Sequence, residues 1–266
     1  MRKRIKDPRN KMQIVPLFPG PPPSGDESEL FNPAENAAAP ANAHLAYQGG
    51  LMLASVKVFT VFWGPSFADG ATSGTLPGQI NSFFDTILAG ALMDQLAEYN
   101  TGGYQVGKGT RIGSKVITAA PAAIVTDAGI QTQLQNWLTS DPDFPQPDNS
   151  TLYFIYTQSG TVVSMQNAGS CTDFCGYHSD IGNSTFYAVM PYPDCNGCLG
   201  NLSVIDALTG TSSHELCEAI TDAVPGAAWY DIPNDMEIGD LCAWQFKQLD
   251  GYNVQLEWSN AAGNCV

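Results

Sequence analysis

All seven cysteines of this 266-residue chain fall between Cys171 and Cys265, with Cys175, Cys195, Cys198, Cys217 and Cys242 among them. Such clustering signals disulfides or a metal site, and it makes the C-terminal third the cross-linked, irregular part of the fold. Cys171, Cys175, Cys195 and Cys198 have a spacing that a tetrahedral zinc site would accept. Disulfides are the expectation, because few lysines, many Asn, Gly and Tyr, and strong acidity suit a secreted chain. Seven is odd, so at least one thiol lacks a partner within the chain. Cys217 is the candidate, unless a bridge from it pins its own segment.

The net charge of −15 hides a split. Six of the 11 Lys and Arg are Arg2, Lys3, Arg4, Lys6, Arg9 and Lys11, leaving five against 25 acidic residues once Asp7 is set aside. A body near −20 repels nucleic acid and anionic lipid, so neither is an expected partner. No apolar run is long enough to insert into a membrane. Pro16, Pro19 and Pro21 to Pro23 also interrupt anything resembling a signal-peptide core. A secreted or extracellular location therefore requires a signal upstream or another export route.

Residues 1–50, rich in Pro, Ala, Asn and Glu, read as a low-complexity tail or a prosegment. Residues 51–266 read as one domain. Val56 to Trp63 predicts a buried strand stopped by Gly64-Pro65. Phe84, Ile87, Leu88, Leu92, Leu96 and Tyr99 predict an amphipathic helix over 79–99. Alternation near Tyr104–Val106 and Lys115–Ile117 suggests a hairpin. Thr126 or Asp127 caps a helix carrying Ile130, Leu134, Trp137 and Leu138, ended by the proline-bearing loop 141–148. Leu152 to Tyr156 is the strongest strand signal and belongs at a sheet centre. A cysteine-bearing loop leads to a shorter strand, Phe186 to Met190. The class is α+β: a mixed sheet, packed helices and a cysteine-rich C-terminal part.

The chemistry concentrates on a helix expected over 203–222, although Gly210 raises the alternative of a start at Thr211 or Ser212. It contains His214-Glu215-Leu216-Cys217-Glu218, an H-E-x-x-E pattern one residue removed from the H-E-x-x-H of zinc peptidases. His214 and Glu218 are one turn apart on one face, where an imidazole and a carboxylate can meet one metal. Glu215 stands beside them as a general base for a metal-activated water. Glu237 follows after a Pro225-Gly226 turn as third ligand; Asp240 either fixes the His214 tautomer or takes that ligand position itself. His178 and Tyr230 are candidates to stabilise a developing oxyanion, as is Tyr252. Two carboxylates make the site harder than one with two histidines, so Zn²⁺ is joined by Mn²⁺ as a cofactor, and Ca²⁺ as a structural ion in the acidic 231–240 segment. Ser179 and Ser213 lack a nucleophile-elbow setting.

Ser213 to Asp222, Trp229-Tyr230-Asp231, Glu237 to Cys242 and Cys175-Gly176-Tyr177-His178 together resemble uncharacterised secreted bacterial and fungal proteins of zincin-like character, similar at a distance to the plant EXORDIUM or phosphate-induced protein family. The resemblance covers about residues 53–246. It implies a metal-dependent peptidase fold with His214 and Glu218 in ligand positions and Glu215 in the base position. A secreted endopeptidase acting on protein or peptide is the function so implied; the alternatives are a non-catalytic cell-wall or extracellular protein with a structural metal, and a calcium-stabilised glycan-binding protein. No signal for oligomerisation is evident.

Overall fold

The computed structural model describes residues 14–17, 39–72 and 74–266. The basic start at residues 2–11 and much of the expected tail lie outside the described residues. The centre is a six-stranded sheet of β1 (Ile14–Pro16), β2 (Lys57–Trp63), β3 (Thr110–Ile117), β4 (Thr151–Thr157), β5 (Phe174–Ile181) and β6 (Thr185–Met190), in the order β1-β5-β6-β4-β2-β3. β6, β4, β2 and β3 run parallel, whereas β5 is antiparallel to β6 and β1 antiparallel to β5. Every residue of β4 is buried, as an apolar run at the centre of a sheet covered on both faces requires.

Strand alternation divides the core. Phe59, Val61, Tyr153, Ile155 and Val189 pack with Ile130, Leu134 and Trp137 of α3 (Asp127–Ser140). Phe62, Phe154, Tyr156, Ala188 and Met190 face the other way, onto α1 (Leu76–Ile87), α2 (Ala91–Leu96) and α4 (Val204–Thr221). Helix α3 begins where its cap predicts: Thr126 Oγ1 accepts the Gly129 N–H at 3.1 Å.

The single helix expected over 79–99 is two. Gly90 takes an extended conformation (φ −94°, ψ −171°) between α1 and α2, and glycine is a weak helix former. The expected hairpin is absent among the described residues. Only β3 forms there, and it pairs in parallel with β2, so its partner is remote in sequence. Part of the predicted cysteine-bearing loop is the strand β5; with Cys and Gly among its residues it lacks a strand-like alternation, and its pairing with β6 decides its conformation.

Three disulfides form, Cys171–Cys195, Cys175–Cys198 and Cys242–Cys265, and Cys217 is free and buried. The four-cysteine zinc alternative falls, because sulfurs bonded to each other are not thiolate ligands. Two bridges fasten the start of β5 to the short helix Asn196–Leu199, and the third ties the segment after Glu237 to the C-terminus. Such bridges belong to an oxidising environment. No helix of the described residues is long and apolar enough to cross a membrane.

Candidate metal centre

Helix α4 runs unbroken from its cap, where Ser203 Oγ accepts the Asp206 N–H at 3.2 Å, to Thr221. The alternative start at Thr211 or Ser212 is not taken. Gly210 is retained because of its neighbours: a Cβ there would lie 2.7 Å from the Phe246 ring. From Ala207 to Thr221 every residue is buried, so the helix is covered on all its faces. Strand β4 braces one side through Tyr156 Oη and Ser212 Oγ at 2.7 Å. The hairpin of β7 (Phe246–Leu249) and β8 (Tyr252–Gln255) braces another, with the Gln255 N–H donating to Ser213 Oγ at 2.9 Å.

His178, His214, Glu215, Glu218 and Glu237 are each 0% exposed, and Asp240 is half-buried. His214 Nε2 lies 2.9 Å from Glu218 Oε1 across one helical turn. The Asp240 N–H donates to that same oxygen at 3.1 Å, drawing the 237–242 segment over the helix. Donor atoms of His214, Glu218 and Asp240 all fall within 4.8 Å of one another. A second set, His178, Glu218 and Glu237, meets the same criterion. His178 Nδ1 sits 3.0 Å from Glu215 Oε2 and 3.5 Å from Glu218 Oε2. Its Nε2 sits 3.2 Å from the Asp222 carbonyl oxygen and 3.7 Å from Glu237 Oε1. Glu237, expected beside His214, thus belongs to the His178 set, and Asp240 completes the His214 set.

The other acidic residues of the segment have structural partners. Asp231 accepts the His44 N–H at 3.0 Å and the Asn234 side-chain amide at 2.7 Å. Tyr230 donates its hydroxyl to Asp235 Oδ1 at 2.6 Å. Asp222 ends α4 by accepting the N–H groups of Gly226, Ala227 and Ala228 at 2.6, 3.0 and 2.6 Å.

The electrostatics are those of crowded anions. Burial raises the carboxyls of Glu237 and Asp240, and Glu218 beside them raises both further. Burial works against the charged form of His178 as well, yet hydrogen bonds to Glu215 and Glu218 outweigh it and hold that imidazole at about 10. Among the described residues no Lys or Arg is ion-paired with this cluster. His214 Nδ1 and Nε2, Glu215 Oε1, Glu218 Oε2 and both Glu237 oxygens are buried without a hydrogen-bond partner. Unpartnered buried carboxylate oxygens are costly, and a divalent cation among them would relieve that cost. The donor set therefore fits a hard or borderline metal.

Three residues of the surroundings drew no functional role from the sequence. Gly239 presses on the His214 ring, where a Cβ would come within 2.8 Å of Cγ and Nδ1, and Gln255 Nε2 holds the Gly239 carbonyl at 2.9 Å. Glu257 is a further buried carboxyl, raised by burial, that helps raise the Cys217 thiol. Neither Gly239, Gln255 nor Glu257 has a diagnostic spacing from His214. Fold and cluster together define an α+β protein with a buried histidine–carboxylate centre of metal-ligand type. Comparison with protein-family models, curated proteins and solved structures finds no match to this chain.

Proposed function

We propose that the chain is a secreted, divalent-metal-dependent hydrolase of the zincin type that cleaves amide bonds in protein or peptide. The observation that carries this reading is the convergence of His214, Glu218 and Asp240 beside Glu215, whose Oε1 is unpartnered while its Oε2 is held by His178. His214, Glu218 and Asp240 would hold the ion. A bound zinc or manganese ion supplies a water of lowered pKa and polarises a carbonyl. Glu215 accepts the proton at Oε1, and His178 keeps its carboxylate in place. Tyr230 is the candidate donor to the carbonyl oxygen as negative charge develops there, exchanging its bond to Asp235 for that role. The disulfides support an extracellular location.

Replacing Glu215 with Gln should lower hydrolysis of a peptide library by about 10²- to 10⁴-fold while metal content stays unchanged. Undiminished hydrolysis in that variant would remove Glu215 from the base role. The complete burial of Glu215 and both histidines favours a second reading, in which the metal only fastens the 237–242 segment to α4. Metal-loaded protein that hydrolyses no peptide, yet melts at a lower temperature after chelation, would establish that structural role instead.

A further inference from the structure

The two donor sets share one residue, and they share it in a particular way. Glu218 turns Oε1 toward His214 Nε2 at 2.9 Å and Oε2 toward His178 Nδ1 at 3.5 Å. One carboxylate thus presents a different oxygen to each histidine. Ligand atoms about 2.0–2.2 Å from a tetrahedral zinc stand about 3.3–3.6 Å apart. The 3.5 Å from His178 Nδ1 to Glu218 Oε2 matches that spacing, the His214 distance is a few tenths short of it, and a Glu237 oxygen falls within 4.8 Å of both partners in the His178 set.

The protonation of His178 sharpens the point. A carbonyl oxygen only accepts, so the 3.2 Å contact with the Asp222 carbonyl requires a hydrogen on Nε2. That leaves Nδ1 facing carboxylate oxygens of Glu215 and Glu218. A metal ion at Nδ1 would take the place of the proton that the imidazole otherwise shares with Glu215 and Glu218. The imidazole held through its other N–H by a backbone carbonyl is also the usual support of a histidine ligand. Glu237 completes the set from the opposite element, fully buried and with both oxygens lacking a hydrogen-bond partner.

We infer that the centre is dinuclear: a second divalent cation is held by His178, Glu218 and Glu237, and Glu218 bridges it to the ion at His214 and Asp240. The inference rests on the proposed metal reading and extends it from one ion to two. A pair of ions there would supply an activated water on one side and polarise the amide carbonyl oxygen on the other.

The test is metal stoichiometry by elemental analysis. Protein stripped with chelator, then equilibrated with Zn²⁺ or Mn²⁺ and gel-filtered, should retain two ions per chain. His178→Gln and Glu237→Gln should each retain one, Asp240→Asn should retain the other one, and Glu218→Gln should lose both. Electron paramagnetic resonance of the unsubstituted Mn²⁺-loaded chain supplies a readout that needs no variant to fold: exchange-coupled manganese is expected. One ion per chain with uncoupled manganese, unaltered by Glu237→Gln, would overturn the second site and leave the single-metal hydrolase standing. No retained ion at all would overturn both.

Discussion

Gly239 shows how tightly the centre is built at the level of single residues. Its φ of −76° is ordinary, so any residue could adopt its backbone; the constraint is the His214 ring against its Cα. Gly239→Ala should displace that ring and weaken metal binding by about 10–100-fold, the usual cost of losing support behind a ligand. Unchanged far-UV circular dichroism alongside the weaker binding would confirm the cause, and unchanged affinity would refute it. At this scale the helical residues of the cluster were legible, because His214, Glu215 and Glu218 sit at offsets whose geometry a helix dictates. His178 drew notice only through the rarity of histidine. Nothing local distinguished Glu237 from Asp240, since both lie in one flexible-looking acidic run and only the turn over α4 sends them to different imidazoles.

Among the elements, α4 gathers the most consequences. Its limits follow from Ser203 and Asp222, and both act where the sequence placed the helix ends. Its continuity through Gly210 depends on Phe246, which fills the space a side chain would need. Gly210→Ala gains about 1 kcal/mol of helix propensity but overpacks this contact, which costs about 1–3 kcal/mol. Net destabilisation is the expected outcome in urea unfolding, and a raised midpoint would show that the ring moves aside freely. Strand β5 makes the opposite case. Gly176 within it lets Thr211 of α4 approach, a Cβ there lying 2.7 Å from Thr211 Cγ2, so its composition answers to helix packing and conceals a strand. That same packing delivers His178 to Glu215.

The whole molecule is held by a core on each sheet face and by covalent ties at one end. Alkylation should label no cysteine in the native protein, one after unfolding without reductant, and seven after reduction. More than one label before reduction would break the disulfide assignment. The N-terminal residues also touch the chain on either side of the centre's covering segment: Trp244 Nε1 donates to the Pro16 carbonyl at 2.9 Å, and the His44 N–H donates to Asp231. We propose on the Pro16 contact that residues preceding Ala39 restrain that segment as a prosegment. A chain cut before Ala39, which keeps the buried Leu45, should hydrolyse peptides faster than the intact one; equal rates would remove the role.

From the sequence alone came the α+β class, the main buried strands, the limits of α3 and α4, and the three positions that α4 gives to the cluster. These depend on caps and periodicities that act within a few residues, so a linear reading contains their physics. Tertiary structure alone decided the parallel pairing of β3, the strand identity of β5, the disulfide partners and the division of carboxylates between two histidines. Each of those is a contact between segments remote in the chain, such as His178 and Glu215 at a separation of 37 residues, and its energy exists only once both segments have packed on the same sheet.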